Sequence, residues 1–280
     1  MTRRSSLPPR ALERTLAFQA GTWTPPEPRA ACTVLLVRDG RAPDGTPQVE
    51  TFLLRRAETM AFAARMHVFP GGRVDPIDAQ TVVDLGWDDA ERARQAARAT
   101  WPVERLDELW ACAVREVSEE VGLAMAPTAS DGTVRIDPQH LPLIAHMITP
   151  EIEERRYSVR FFAHAVDDAE QVQLSTTEAV DGFWISPAEA LRRHDAGELA
   201  MLTPTVLRLR EMALHTSSAD YLDAARTFEV RPLMPRPVVA DDGAVTWLVL
   251  DAATGEVLDQ EAVGPGATES DGQPLVVELP

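Results

Sequence analysis

Three glutamates stand close together in one short segment of this 280-residue chain. Glu116, Glu119 and Glu120 are spaced at i, i+3 and i+4, so an α-helix would place them on one flank, within an arc of roughly 100°. Like charges at this spacing destabilise a helix by about 0.2–0.5 kcal/mol per pair. Hard cations such as Mg²⁺ or Mn²⁺ prefer dense sets of carboxylate oxygens. The segment therefore predicts a divalent-metal site, although glutamates on helices most often only face solvent.

The apolar residues of the same segment predict the helix that carries these acids. They recur with helical period and fall within an arc of roughly 60°; they are Trp110, Val114, Val117 and Val121. We expect this stripe to face the core and Gly122 to end a helix over residues 107–121. The acids then lie on the flank that adjoins the buried stripe.

Two motifs around this helix carry a family resemblance. Residues 69–72 read Phe-Pro-Gly-Gly, and residues 115–123 read Arg-Glu-Val-Ser-Glu-Glu-Val-Gly-Leu. Together they resemble the signature of the Nudix hydrolase superfamily, which is Gly, five residues, Glu, seven residues, then Arg-Glu-apolar-x-Glu-Glu-x-Gly-apolar. Gly72 matches the signature glycine, and Arg115 and Gly122 match the structural positions of the second half.

The resemblance implies both an activity and roles for these residues. The superfamily hydrolyses a nucleoside diphosphate linked to another moiety. Glu116, Glu119 and Glu120 are then the expected ligands of Mg²⁺ or Mn²⁺, with a backbone carbonyl of Gly71 or Gly72 completing the shell. Glu116 and Glu120 are also the candidates for orienting or deprotonating the attacking water.

The first half of the signature departs from the pattern. Asp78 stands five residues after Gly72, where the family has Glu, and 36 residues separate it from Arg115 instead of seven. The signature is therefore split by an insertion of 29 residues, at about 79–107, and the polar, arginine- and alanine-rich sequence of the insertion predicts a surface helix. Asp107, seven residues before Arg115, is the alternative for this position. Either aspartate could pair with Arg115 and hold the carboxylate helix, and we favour Asp107.

The split resembles a long-insert branch of the superfamily that includes the peroxisomal acyl-CoA diphosphatase. Further landmarks of that branch lie at residues 55–57, 60–62, 148–150, 155–162 and 184–191, so the resemblance covers about residues 30–215. Arg65 departs from it, because the coenzyme A motif has a glycine there. The implied substrate is coenzyme A or acyl-CoA. Alternatives are ADP-ribose, a dinucleotide or a nucleoside triphosphate, and a module that binds a nucleotide without hydrolysis.

Other charged residues could contact the substrate. Arg56, Arg155 and Arg156 could hold phosphates in bidentate fashion, although each could equally serve in an ordinary surface ion pair. Glu178 is a candidate for an additional carboxylate at the site, or a solvated loop acid.

Composition limits the partners. The formal net charge is −17, from 27 Lys+Arg and 44 Asp+Glu, so we expect no nucleic acid and no anionic membrane as partner. All basic residues are arginines, which excludes lysine Schiff-base chemistry. The two cysteines, Cys32 and Cys112, are expected to be buried thiols. No signal peptide or apolar span is recognised, so a cytoplasmic protein is expected. The resemblance implies a small nucleotide diphosphate as its substrate, and a homodimer is the default.

Strand and helix patterns alternate along the chain, which favours an α/β or α+β sandwich. The resemblance narrows this to a Nudix-type α/β/α sandwich with a mixed central sheet. We expect an N-terminal helix and connector over residues 1–28 and a Nudix domain over residues 29–217. A C-terminal helix, hairpin and acidic tail follow over residues 218–280.

Overall fold

A computed structural model describes residues 7–58, 63–167, 172–175 and 179–261 of the chain. Residues 60–62, one of the landmarks, lie outside this part. The helices are α1 (Pro9–Gln19), α2 (Asp89–Ala99), α3 (Asp107–Val121), α4 (Pro187–Asp195), α5 (Thr203–Met212) and α6 (Ser218–Ala225). The strands are β1 (Arg29–Arg41), β2 (Pro47–Arg56), β3 (His67–Val68), β4 (Gly71–Arg73), β5 (Val83–Asp84), β6 (Val134–Arg135), β7 (Leu143–Ile148), β8 (Tyr157–Ala165), β9 (Ala179–Ile185), β10 (Pro232–Val239), β11 (Val245–Asp251) and β12 (Val257–Glu261).

The centre of the molecule is one mixed sheet, as predicted. Its strand order is β12-β11-β10-β7-β8-β1-β2-β3, and β4 and β9 pair with β1 and β2. The central strand β1 runs parallel to β8 and antiparallel to β2 and β4. Its middle, from Val34 to Val37, is fully buried because helices cover both faces of the sheet.

Each face of the sheet has its own hydrophobic cluster. On one face, Cys32, Val34, Leu36 and Phe162 pack against α3 through residues such as Trp110. On the other face, the apolar residues of the sheet pack against α1, α4, α5 and α6. The result is the predicted α/β/α sandwich. It places α3 directly over β4, which contains the two glycines of the Pro-Gly-Gly sequence, and over its partner strand β1.

The insertion is part of the core, whereas the sequence predicted a surface helix. Helix α2 forms there, but Ala96 and Ala99 are buried. The buried guanidinium of Arg160 donates from Nε to the Ala99 carbonyl (3.1 Å) and from Nη2 to the Thr100 carbonyl (2.9 Å). These carbonyls lie at the C-terminal end of α2, where the helix dipole favours a cation. Polar composition had suggested exposure, because alanine and arginine show no apolar stripe even where they pack.

Strand β10 was absent from the sequence-based expectation because it contains three prolines. Val239 both donates to Oε1 of Gln19 (2.8 Å) and accepts from its Nε2 (3.0 Å). The odd-numbered residues of β10 therefore turn their peptide groups away from β11. Pro235 and Pro237 share this orientation and lie beyond the short pairing with β7, which ends at Leu233. Their missing N–H groups leave no ladder bond unmade.

The expected N-terminal helix is α1, which begins at a proline and packs against β10. Cys32 and Cys112 are buried free thiols, also as expected. Within the described residues, every helix is too short or too polar to cross a bilayer.

Candidate active site

Helix α3 carries the three glutamates and ends where the sequence predicts. Gly122 caps it in the left-handed conformation (φ +69°), and its N–H donates to the Ser118 carbonyl (3.1 Å). A glycine adopts this conformation without the strain that a side chain would add. Asp107 and Glu108 lie in the first turn, where the helix dipole favours negative charge.

The Pro-Gly-Gly bend between β3 and β4 lies directly against this helix. The Gly71 N–H donates to Oε2 of Glu120 at 2.8 Å. Gly71 has φ +153°, and a Cβ atom there would lie 2.3 Å from the Cys32 carbonyl oxygen. Only glycine fits this position, because the atom in the way belongs to the backbone of the central strand.

Gly72 makes room for a second carboxylate. A Cβ atom at Gly72 would lie 2.4–2.5 Å from the three carboxylate atoms of Glu116. The Glu116 carboxylate therefore packs against the bare backbone of the bend. The structure thus brings Gly72, Glu116 and Glu120 together, as the sequence predicts.

Arg115 connects the carboxylates. Its Nη1 donates to Oε1 of Glu116 (2.8 Å) and to Oε2 of Glu119 (3.1 Å). Its Nε and Nη2 donate to Oδ1 and Oδ2 of Asp78 at 2.8 and 3.0 Å. The hydrogen bonds to Asp78 raise the pKa of Arg115, so the guanidinium stays charged.

The structure corrects our preference for Asp107 as the partner of Arg115. Asp78 makes the bidentate pair, and Asp107 instead lies 2.9 Å from Nη2 of Arg92 on the insertion. Asp78 is 1% exposed and also accepts the Asp75 N–H at 2.7 Å. The tight turn after β4 returns Asp78 to the helix, so the insertion follows this aspartate and leaves it in place.

The three glutamates differ in exposure. The side chain of Glu119 is 60% exposed, whereas that of Glu116 is 13% exposed. Glu120 is buried, and Glu116 is intermediate between the two. Burial raises the pKa of Glu116, and the neighbouring Arg115 opposes this effect. The cluster therefore has two carboxylates at the bend and one at the solvent edge.

The side-chain and backbone oxygens of this cluster are donor atoms that suit a hard divalent cation. No group of three acidic, histidine or cysteine side chains in the described ranges stands in metal-holding geometry. However, Glu116 and Glu119 already converge on one cationic nitrogen of Arg115, and the missing Cβ of Gly72 forms a cradle for Glu116. All donors are oxygens, which Mg²⁺ and Mn²⁺ prefer.

Comparison with known families agrees with this geometry. The model of the NUDIX domain matches residues 27–204, which is more than half of the chain. The chain belongs to the Nudix family. Nudix hydrolases generally use divalent metal ions.

Individual relatives support the same family. Nudix hydrolase 7 of Caenorhabditis elegans is 26% identical over 212 residues, which is 66% of this chain. The match covers 62% of the nematode protein, less than two thirds of its length. The crystal structure of a NUDIX hydrolase from Alicyclobacillus acidocaldarius has a TM-score of 0.57 at 23% identity, and the match covers 74% of this chain and 99% of that one. At this identity the likeness shows the fold.

One predicted phosphate ligand of this Nudix-family protein has a structural role instead. Arg156 is buried, and it donates from Nε to the Thr149 carbonyl (3.1 Å) and from Nη1 to the Pro26 carbonyl (3.0 Å). Its Nη2 contacts the sulfur of Met234. It therefore ties the N-terminal connector and β10 to the start of β8. The sequence offered no way to know this, because its partners are backbone atoms distant in the chain.

The other predicted contacts stay predictions. Arg155 is exposed, and Arg56 is partly exposed at the end of β2. Glu178 lies outside the described residues. Sequence reasoning also missed residues 172–175, which bind the C-terminal end of α3. Nothing in their composition signals this contact, because main-chain and hydroxyl donors make it.

Proposed function

We propose that this Nudix hydrolase cleaves the diphosphate linkage of a nucleoside diphosphate derivative with Mg²⁺ or Mn²⁺. One observation carries the proposal. Glu116 and Glu120 contact Gly72 and Gly71 at one bend, and Arg115 joins Glu116 to Glu119 at the solvent edge of the same cluster. A protein that only binds a nucleotide has no need to preserve this cluster of acids.

The residues divide the work as follows. Glu116 and Glu119 would hold one ion, because their carboxylates already share one cationic partner. Glu120, with a backbone carbonyl of Gly71 or Gly72, would complete the donor set. When bound, the ions neutralise the diphosphate and lower the pKa of the attacking water. Glu116 and Glu120 would orient this water, and one of the two would accept its proton, while Arg115 and Asp78 hold the helix in place.

Coenzyme A or acyl-CoA is our first choice of substrate. The support is the resemblance of the split signature and of residues 55–57, 148–150, 155–162 and 184–191 to the long-insert branch. Arg65 counts against this choice, because it replaces the glycine of the coenzyme A motif. Arg65 has φ +63°, a left-handed conformation that glycine favours. The backbone at this position therefore keeps a glycine-like shape despite the substitution. The Arg65 side chain turns to solvent and pairs with Glu58 at 2.8 Å.

The test is a digest with identified products. The protein is incubated with coenzyme A, ADP-ribose, a dinucleoside polyphosphate and a nucleoside triphosphate, each with Mg²⁺ or Mn²⁺. Mass spectrometry then identifies the products. We expect 3′,5′-ADP and phosphopantetheine from coenzyme A. Preferred cleavage of another substrate would change the substrate class and leave the reaction type intact.

The mechanism is tested with the variant Glu120→Gln, which keeps the size of the side chain and removes its charge. We expect its turnover to fall by about 10²-fold or more, as for loss of a general base. Wild-type rates in Glu120→Gln would overturn the mechanism. Nucleotide binding without turnover of any substrate by the wild type would favour the non-catalytic alternative.

A further inference from the structure

A short segment far from the signature holds the end of the carboxylate helix. Residues 172–175, here called the strap, run beside the last turn of α3. The Gln173 N–H donates to the Val121 carbonyl (3.1 Å), and the Ser175 N–H donates to the Glu120 carbonyl (2.9 Å). The Ser175 hydroxyl donates to the Glu119 carbonyl. The strap therefore binds three consecutive carbonyls of the helix.

These three carbonyls are the ones that a helix leaves without partners. The last four C=O groups of an α-helix have no intrahelical donor. Gly122 already binds the Ser118 carbonyl, and the strap supplies donors to the other three. The turn that it holds carries Glu119 and Glu120, whereas Glu116 lies one turn earlier and is fixed by Gly72 and Arg115.

The strap is also anchored on its other side. A Cβ atom at Gly182 on β9 would lie 3.3 Å from Cγ of Leu174 and 2.8 Å from the Phe52 ring. Leu174 therefore reaches the face of β9 and β2, although it is 36% exposed. The strap thus bridges the end of α3 and the sheet, so the last helical turn is held from a second element.

We infer that Ser175 is a positioning residue for Glu119 and Glu120. Its side chain and main chain bind the carbonyls of those two glutamates, and its loss would let the last turn fray. The placement of the Glu120 carboxylate on the Gly71 N–H depends on that turn. The inference rests on the proposed metal-dependent function of the same carboxylates.

The test compares three variants with the full-length wild type. Ser175→Ala removes the hydroxyl and keeps the N–H, while Ser175→Thr keeps both donors. Ser130→Ala removes an exposed hydroxyl on another loop and is the matched control. Mn²⁺ binding is measured by electron paramagnetic resonance, and kcat and KM are measured with the best substrate of the digest. Thermal unfolding shows whether each variant is folded.

For Ser175→Ala we expect Mn²⁺ binding to weaken and kcat to fall, each by about two- to tenfold, the range of one hydrogen bond. KM stays unchanged, Ser175→Thr restores both values, and Ser130→Ala matches the wild type. Wild-type Mn²⁺ affinity and kcat in Ser175→Ala would overturn the inference, as would an equal loss in Ser175→Thr.

Failure of the proposed function would be recognised separately. If the wild type hydrolyses none of the substrates, the enzymatic proposal fails, but weaker Mn²⁺ binding in Ser175→Ala alone still supports the positioning role. If the wild type binds no Mn²⁺, both proposals fail.

Discussion

Arg115 and Asp78 lie 37 residues apart in the chain, yet they form a bidentate ion pair with N–O distances of 2.8 and 3.0 Å. The pair joins the carboxylate helix to the turn that follows the Pro-Gly-Gly bend. The pair forms despite an insertion of 29 residues, because the whole insertion lies between the two residues in the chain. Four predictions follow from this and related contacts.

Asp78→Asn should destabilise the protein and impair the site. The variant leaves the Arg115 guanidinium facing an amide in a buried position. Loss of one partner of a partly buried ion pair costs about 2 kcal/mol of unfolding free energy, and kcat should fall with the misplaced helix. Urea unfolding and steady-state kinetics measure both. The control is Asp107→Asn, whose partner Arg92 is more exposed; if it caused the larger loss, our assignment of Asp78 would be wrong.

Gly72→Ala should impair activity far more than stability. The new methyl group displaces the Glu116 carboxylate, which is the far end of a flexible side chain and can swing away. We expect kcat to fall by about 10²-fold, with little change in the unfolding free energy. Gly197→Ala is the contrasting variant, because its position is spacious but left-handed (φ +74°). It should lose about 1 kcal/mol of stability and keep full activity. Wild-type kinetics in Gly72→Ala would contradict the site geometry.

His146 should make the protein less stable in mild acid. Burial, together with the charge of Arg160, lowers its pKa from 6.5 to about 3, and its Nε2 contacts the Ser158 hydroxyl at 2.8 Å. The unfolded state binds the proton below pH 6.5 and the folded state does not. The contribution of His146 is therefore complete above the unfolded pKa and is lost as the pH falls toward the folded one.

Urea unfolding of the wild type and of His146→Gln measures this effect. Between pH 7.5 and pH 5, the wild type should lose about 2 kcal/mol more than the variant. Equal losses in the two proteins would show that His146 is not held neutral in the folded state.

Arg156→Ala should reduce stability and leave substrate affinity unchanged. The guanidinium binds the Thr149 and Pro26 carbonyls, and its removal takes away a donor from each of these partly buried acceptors. We expect a loss of about 2 kcal/mol in unfolding free energy and an unchanged KM. The neighbouring Arg155→Ala should keep the stability, and its KM tests the remaining phosphate-binding prediction. A raised KM in a stable Arg156→Ala protein would support the phosphate-binding role that the sequence predicted for Arg156.

Local physics in the sequence was sufficient for the helix and the bend. The apolar period from Trp110 to Val121, the spacing of Glu116, Glu119 and Glu120, and the glycines at 71, 72 and 122 all depend on neighbours within a few residues. Periodicity and the conformational freedom of glycine act over that range. Helix α3 and its end were therefore predictable from local patterns, whereas its contact with the bend was expected only through the family resemblance that the same residues carry.

Tertiary structure alone decided which distant groups meet. In the folded protein Arg115 pairs with Asp78 and not with Asp107, and Arg156 binds backbone carbonyls. The strap binds the last carbonyls of α3. Tertiary structure also allowed Pro232–Val239 to form a strand. Beyond Leu233 this strand has no partner strand on the side opposite β11, so Pro235 and Pro237 need no N–H there. Each outcome depends on atoms brought together across tens of residues, often backbone atoms that are the same in every residue. The pattern of side chains along the sequence does not predict such a contact.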